Sequence, residues 1–229
     1  MTRQHLIFDA DDTLWENNVY FEVAFDRFCD FLGHSSLTAD EIRSVLDEIE
    51  IENNKVHGYG ALNFARNLRQ CYSKLCERGF NESHLEEVAG YAHRILESPM
   101  ELMPGVSETL AELAARHELT MFTKGHSDEQ GAKIERSGLR HYFAHCVIVK
   151  EKNRAAYIEL AQSRAFDLDR TWMIGNSPKS DINPALAAGM RAVFVPHQRT
   201  WTLEREDIAD VNGRLVVVEA FSQLRELFS

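Results

Sequence analysis

The fold is decided by residues 6–14, which read LIFDADDTL. The first three form a short apolar run, and carboxylates follow it at once at Asp9, Asp11 and Asp12. An apolar run that ends in acidic groups is typical of a buried parallel strand whose carboxyl end opens onto a site. Taken alone, the acidic run is also compatible with a turn in which Asp12 caps backbone amides.

Five further apolar runs follow the same pattern later in the chain. Helical patterns separate them, such as Val106, Leu110 and Leu113 on one face and a short helix that Asn183-Pro184 opens. Strands that alternate with helices predict a parallel, doubly wound α/β sheet. The runs are LTMF at 119–122, CVIV at 146–149, WMI at 172–174, AVFV at 192–195 and LVVV at 215–218.

Residues 15–99 interrupt this alternation and contain no convincing strand. Their apolar residues follow helical spacing, and capping boxes mark helix starts. We therefore predict an α/β core of residues 1–14 and 100–229, with a cap of about four helices at 15–99. The capping boxes, one of them in the core, are Thr38 with Glu41, Ser83 with Glu86, and Ser127 with Gln130.

Composition and charge limit the possible partners. The net charge of −11 argues against nucleic acid, because binding to a phosphate backbone needs a clustered basic surface. It does not argue against a small phosphorylated substrate, since a divalent cation and local amides reverse the field inside one pocket. No window approaches the ~18 apolar residues of a membrane span, and we expect no signal peptide. Four scattered cysteines without a CxxC motif predict free thiols in a reducing compartment, the cytoplasm.

Thr123 ends the second predicted strand, and Lys124 follows it. A hydroxyl and free amides near the start of the next helix form a cradle that suits an anion. A threonine that merely caps a strand-to-helix turn explains the same residues.

The third and fourth strands are also followed by polar residues. Lys150 and Lys152 follow the third, and either ammonium suits phosphate, although a solvated surface lysine is the more common case. The fourth is followed by GNSPKSD at 175–181, where glycine allows a tight turn and Asp181 is able to reach a cation. A plain capped loop is the alternative here.

Each of these segments is weak evidence by itself. In a parallel sheet, however, the carboxyl ends of the strands meet at one edge, where ligands bind in open α/β folds. We therefore expect Asp9, Asp11, Thr123, Lys152 and Asp181 to converge on one site.

In these segments the chain resembles the haloacid dehalogenase superfamily. LIFDADDTL is similar to its first motif, an apolar strand followed by DxDxT, LTMFT to the second, and IGNSPKSD to the fourth. Lys152, rather than Lys150, is similar to the third motif because of its spacing to Tyr157. The helical insertion resembles a type-one cap, and EKNRAAY and HGYG resemble a phosphatase-like branch of hydrolases.

The resemblance implies a mechanism. Asp9 would attack phosphorus and carry the phosphoryl group as an aspartyl-phosphate, while Asp11 would act first as acid and then as base. Mg²⁺ would be held by Asp9, the backbone carbonyl of Asp11, and Asp181. Three residues are expected to bind the substrate's phosphoryl oxygens: Thr123, Lys124 and Lys152.

One position departs from the family pattern. The usual Gly-Asp of the fourth motif is Gly175-Asn176 here. Asn176 is able to ligate the metal through its amide oxygen but adds no charge, so either Mg²⁺ binds more weakly or Asp181 is the one acidic ligand of this loop. Asp12, where many relatives carry glycine, is expected to hydrogen-bond locally.

These observations predict a Mg²⁺-dependent phosphohydrolase for a small phosphomonoester, present as a monomer or homodimer. The alternatives are a 2-haloacid dehalogenase, a phosphonatase, a phosphomutase and a catalytically idle binding domain. A dehalogenase attacks carbon without a metal, so Asp11 and Asp181 argue against it. The intact set of Asp9, Asp11, Thr123 and a lysine argues against an idle domain.

Overall fold

The computed structural model describes residues 3–77, 81–209 and 213–229. The chain forms two compact units, one of Met1–Asn18 with Met100–Ser229 and one of Val19–Pro99. The first contains a six-stranded sheet and the second is helical.

The sheet has the strand order β3-β2-β1-β4-β5-β6, and all its pairings are parallel. The chain adds β2 and β3 on one side of β1 and β4, β5 and β6 on the other, so the strand order reverses at β1. This confirms the predicted α/β class and places a topological switch point at the carboxyl end of β1. The strands are β1 His5–Phe8, β2 Glu118–Lys124, β3 His145–Val149, β4 Thr171–Gly175, β5 Arg191–Phe194 and β6 Leu215–Val217.

Apolar side chains cover both faces of the sheet. Leu6 and Phe8 point into one buried cluster, and Ile7 points into another with Phe122 and Met173. A strand buried on both faces must be apolar throughout, which is why β1 reads as a continuous run. The α-helices that the described residues of this unit form are α5 Val106–Ala114, α6 Ser127–Ser137, α7 Arg154–Arg164, α8 Asn183–Ala187 and α9 Leu224–Leu227.

The helical unit has its own core. Phe28, Leu46, Leu68 and Val88, one from each helix, are fully buried in it. The capping box of Thr38 and Glu41 is confirmed at the start of the second helix. The helices are α1 Asn18–Leu32, α2 Ala39–His57, α3 Ala61–Leu75 and α4 Glu82–His93, followed by a short 3₁₀ turn at Arg94–Glu97.

Two chain segments of the sheet unit pair where the helical unit departs and returns. The Glu16 amide donates to the Glu101 carbonyl and the Met103 amide to the Leu14 carbonyl, both at 2.9 Å, and Trp15 forms an antiparallel bridge with Leu102. We refer to residues 14–16 and 101–103 as the paired stems. Trp15 is 1% exposed in the core of the sheet unit, so the chain divides after Asn18 and not before Trp15.

Within the described residues, no helix has both the length and the apolar character needed to cross a membrane.

Candidate active site

The ends of four neighbouring strands bring the predicted residues together. Asp9 directly follows β1, and its backbone amide donates to the Ile174 carbonyl of β4 at 2.9 Å. Thr123 lies near the end of β2, Lys152 follows β3, and Asp181 follows β4.

Lys152 is the centre of this arrangement. Its Nζ donates to Oδ1 of Asp9 and to Oδ1 of Asp181, each at 2.5 Å, and to the Phe122 carbonyl at 3.2 Å. The two carboxylate oxygens are therefore separated by no more than twice the Nζ–O distance. Burial lowers the pKa of Lys152, but Asp181 and Asp9 raise the pKa more, so the net shift is upward and the ammonium stays charged. Lys150 is exposed.

The charges in this group do not balance. Asp9 and Asp181 are both buried, and the pair shares a single ammonium. Burial first, and then the Asp9 carboxylate, raise the pKa of Asp181 above its ordinary range, while Lys152 opposes the shift. With both carboxylates ionised, the buried group carries one excess negative charge, which a further cation would neutralise.

The Thr13 hydroxyl lies between Asn176 and Asp9 and links the two side chains. The Thr13 hydroxyl is 3.0 Å from both Oδ2 of Asp9 and Oδ1 of Asn176, and its single proton is donated to one of them at a time. The Asn176 amide nitrogen donates to Thr200 at 3.1 Å, which turns its oxygen toward Asp9.

The residues present fit a magnesium ion. Asp9 and Asp181 offer carboxylate oxygens and Asn176 an amide oxygen, which are the hard donors that Mg²⁺ prefers. The excess negative charge shared by the two carboxylates is of the sign that a divalent cation neutralises.

Gly175 is required by the close approach of Asp181. A Cβ atom at position 175 would overlap the Asp181 carboxylate. The explanation of Gly175 as a residue needed for a tight turn is therefore wrong, because its φ angle lies outside the left-handed region. The carboxylate is held there by the Ser177 amide, which donates to Oδ2 at 2.9 Å.

Asp11 is held by three donors that sequence reasoning missed. Lys133 lies 2.9 and 3.0 Å from its two oxygens, the Trp15 indole donates at 2.7 Å, and Gln130 donates at 3.1 Å. All three suit the carboxylate form of Asp11. Lys133 also donates to Asn17 at 2.7 Å, which fixes the position of the ammonium.

Gln130 also binds Thr123. Its amide nitrogen donates to the Thr123 hydroxyl oxygen at 2.6 Å, and both residues are buried. One side chain therefore joins Thr123 to Asp11. The predicted capping box of Ser127 and Gln130 is wrong, because this contact takes the Gln130 side chain away from the helix start, where His126 is the N-cap.

The model of the haloacid dehalogenase-like hydrolase family matches residues 6–195, which is most of the chain. The chain belongs to this family. It is therefore a hydrolase, as its motifs predict.

Individual relatives of the hydrolase differ in activity. A glyceraldehyde 3-phosphate phosphatase from Methanothermobacter thermautotrophicus is 25% identical, over 97% of this chain and 98% of its own. A haloacid dehalogenase-like family hydrolase from Xanthomonas campestris superposes with a TM-score of 0.83 at 28% identity, over 98% of this chain and 94% of its own. A 2-haloacid dehalogenase from Pseudomonas syringae shares the fold, with a TM-score of 0.65 at 21% identity, over 99% and 98% of the two chains.

The contacts of Lys124 in the hydrolase do not match the predicted role in substrate binding. Its Nζ donates to Oε1 of Glu204 at 2.6 Å and to the Ser180 hydroxyl oxygen at 2.8 Å. Burial raises the pKa of the Glu204 carboxyl, but Lys124 and Ser177 lower it more, so Glu204 stays ionised. Lys124 is therefore part of a partly buried ion pair that supports the loop carrying Asp181. Glu204 follows β5 by ten positions, and no motif pointed to it.

Asp12 forms the local hydrogen bonds expected of it. Its Oδ1 accepts from the backbone amides of Asn17 and Asn18, each at 2.9 Å, with Asp12 itself at φ 59°. The prediction that Asp12 hydrogen-bonds locally is confirmed.

Proposed function

We propose that this hydrolase is a Mg²⁺-dependent phosphatase that acts on a small phosphorylated metabolite through an aspartyl-phosphate at Asp9. The observation that carries the proposal is the single Lys152 ammonium shared by the buried Asp9 and Asp181. A halide leaves carbon without taking up a proton, so an aspartate that attacks carbon has no use for a general acid at Asp11. An aspartate that attacks a phosphate dianion needs additional positive charge, and a second carboxylate supplies the ligand that holds it.

Asp9 is positioned as the nucleophile. Lys152 orients Oδ1 and the Thr13 hydroxyl lies at Oδ2, so the carboxylate cannot rotate freely. One Asp9 oxygen forms a bond to phosphorus while the bond from phosphorus to the substrate oxygen breaks.

Asp11 moves the protons. In the first step the protonated form of Asp11 gives its proton to the leaving oxygen and becomes a carboxylate. Its carboxylate then takes one from water, which attacks phosphorus, breaks the bond to Asp9 and releases inorganic phosphate. The donors around Asp11 suit the second step, because Lys133, Trp15 and Gln130 all stabilise the carboxylate form.

Thr123 and Lys152 are assigned to the transferring oxygens. The Thr123 hydroxyl accepts from Gln130, which leaves its own proton available to a phosphoryl oxygen. When bound, Mg²⁺ supplies positive charge that lowers the repulsion between the Asp9 carboxylate and the phosphate. Asp9, the backbone carbonyl of Asp11, Asp181 and Asn176 are the groups that would hold it.

The relative that is a glyceraldehyde 3-phosphate phosphatase supports a small sugar or triose phosphate as substrate. We expect purified protein to release inorganic phosphate from such compounds, glyceraldehyde 3-phosphate among them, in the presence of Mg²⁺ and not after addition of EDTA. Release of halide from 2-haloacids in EDTA, without phosphatase activity, would contradict the proposal and favour a dehalogenase.

The division of work between the two aspartates gives a sharper test. Asp9→Asn keeps the shape but removes the nucleophile, so phosphate release should fall to background. Asp11→Asn removes the acid and base, which typically costs ~10²–10⁴-fold. The rate of aspartyl-phosphate formation, measured by pre-steady-state kinetics, should fall less for an aryl phosphate than for an alkyl phosphate. The reason is that the leaving oxygen of an aryl phosphate needs little protonation. An equal fall in this rate for the two substrates would show that Asp11 is not the general acid.

A further inference from the structure

A second group of metal-binding side chains lies in the sheet unit, formed by Asp12, Glu16 and His197. The loop after β5 carries His197, whose side chain is only 10% exposed. Its Nε2 lies 3.4 Å from Oε2 of Glu16, and its Nδ1 lies 3.9 Å from Oδ1 of Asp12. One ligand atom from each of the three residues falls within 4.8 Å of the others.

Two atoms of this group have unmet hydrogen-bonding capacity. Among the described residues, neither Nδ1 of His197 nor Oε2 of Glu16 has a hydrogen-bond partner, although both are buried. A buried polar atom without a partner typically costs ~1–3 kcal/mol. A cation bound to Nε2 of His197 and to the two carboxylates would satisfy Oε2 of Glu16 and offset the acidic charge.

The backbone around the group is fixed by hydrogen bonds within the sheet unit. The Asp12 carboxylate accepts from the amides of Asn17 and Asn18. The His197 carbonyl accepts from the Thr200 hydroxyl at 3.0 Å, and the Arg199 carbonyl accepts from the Asn18 side chain at 2.8 Å. The three ligands are therefore held by short, hydrogen-bonded segments, which favours metal binding over rearrangement.

We propose that Asp12, Glu16 and His197 form a second divalent-metal site, distinct from the Mg²⁺ site, that takes a borderline cation such as Zn²⁺. An imidazole nitrogen with carboxylate oxygens suits Zn²⁺, whereas Mg²⁺ prefers oxygen ligands alone. Two ligand atoms at ~2.0–2.1 Å from a tetrahedral zinc ion are separated by roughly 3.4 Å, which is the separation of the His197 and Glu16 atoms. Three protein ligands leave one coordination position for water.

The bound cation would join two segments of the chain. Asp12 and Glu16 lie on the segment that leads from β1 to the helical unit, and His197 lies on the loop after β5. Thr200 of the same loop contacts Asn176. The cation would therefore stabilise the supports of the candidate active site without contacting the reacting atoms. This proposal does not rest on the proposed phosphatase activity.

The test is Zn²⁺ binding to the full chain in excess Mg²⁺, measured by calorimetry, with Co²⁺ absorption as a spectroscopic probe of the ligand geometry. We expect one equivalent of Zn²⁺ per chain and a rise in melting temperature. His197→Ala should weaken binding by more than the ~10–100-fold that loss of a supporting residue costs. His141→Ala, which removes an exposed histidine, should leave the affinity for Zn²⁺ unchanged. Asp181→Asn should also leave this affinity unchanged, since Asp181 belongs to the other site.

Absence of Zn²⁺ binding by the wild type, or equal affinity in wild type and His197→Ala, overturns the proposal. His197 would then only be a packing neighbour of the two carboxylates. If His197→Ala does not fold, Glu16→Gln decides in the same way, because the Glu16 side chain is 25% exposed and the substitution keeps its shape.

Discussion

At the scale of single residues, Asn176 stands where the resemblance to the family's fourth motif leads us to expect an aspartate. Its oxygen faces Asp9 through Thr13, and the Thr200 hydroxyl, which donates to the His197 carbonyl, is able to turn its proton to a carboxylate at position 176. Asn176→Asp should therefore fold and should lower the Mg²⁺ concentration needed for half-maximal activity by about tenfold, since ~1.4 kcal/mol corresponds to one decade.

The control for this prediction is Asn153→Asp, which adds the same charge at an exposed helix cap. A Mg²⁺ titration of phosphate release, repeated by calorimetry, measures both variants. If Asn176→Asp and Asn153→Asp give the same Mg²⁺ dependence, position 176 neither ligates nor tunes the cation.

Gly175 gives a second prediction at this scale. A methyl group at position 175 would displace the Asp181 carboxylate from Lys152, and overpacking of this kind costs typically ~1–3 kcal/mol. Gly175→Ala should lower the free energy of unfolding by that amount and weaken Mg²⁺ binding. Gly131→Ala is the matched control, because a methyl group there contacts nothing within 4 Å and alanine favours helix by up to ~1 kcal/mol. Urea unfolding of both variants is the measurement. The free energy of unfolding should fall in Gly175→Ala and rise in Gly131→Ala.

Sequence reasoning located the residues that follow strands but missed those that support them. Asp9, Thr123, Lys152 and Asp181 are recognisable because each follows an apolar run. Gln130 and Lys133 lie in the middle of a helix, where polar residues usually face solvent. Their spacing of three residues places them on one face of helix α6. This helix directly follows the strand that carries Thr123, and the polar pair on its face was the feature of the sequence that indicated their role.

At the scale of elements, the strands were predictable to within two residues at each end because continuous apolar runs fix them. The helix caps were less predictable from the sequence. Of the three predicted capping boxes, Thr38 with Glu41 is confirmed, but the helix predicted to start at Ser83 is capped by Asn81, whose side chain accepts from the Ser83 amide at 3.0 Å. Glu86 instead pairs with Arg69 at 2.6 Å, a contact between helices that local sequence does not specify.

Glu50 provides a prediction for helix α2. It is 5% exposed in the core of the helical unit, and burial raises the pKa of its carboxyl from 4.5 to about 8, against the opposing charge of Arg43. Because the folded state binds the proton more tightly, the contribution of Glu50 to stability declines as the pH rises from 4.5 to about 8. The decline is at most ~1.4 kcal/mol per pH unit, and it should be absent in Glu50→Gln.

We therefore expect the unfolding midpoint of Glu50→Gln in urea to exceed that of the wild type by the most at pH values above the folded pKa and to converge with it in mild acid. Glu52→Gln, on an exposed part of the same helix, should show no such divergence. A constant difference between Glu50→Gln and the wild type across this range would mean that Glu50 is ionised in the folded state throughout.

At the scale of the whole molecule, metal binding should be visible as stability. Ligand binding to the folded state adds about 2.7 kcal/mol at a concentration one hundred times the dissociation constant. Mg²⁺ should therefore raise the melting temperature of the wild type, and Asp181→Asn should abolish the rise because it removes the excess charge. Asp207→Asn, at an exposed position, controls for the general effect of Mg²⁺ on a chain with a net charge of −11. An equal rise in Asp181→Asn would place the cation elsewhere.

The paired stems have a consequence for how this chain tolerates change. Because residues 14–16 and 101–103 are hydrogen-bonded to each other within the sheet unit, the core closes the loop before the inserted segment begins. The entropic cost of a longer or shorter insert then grows only with the logarithm of its length. The junction therefore acts as a graft point, at which recombination is able to exchange one insert for another while the β1 strand and its aspartates keep their register.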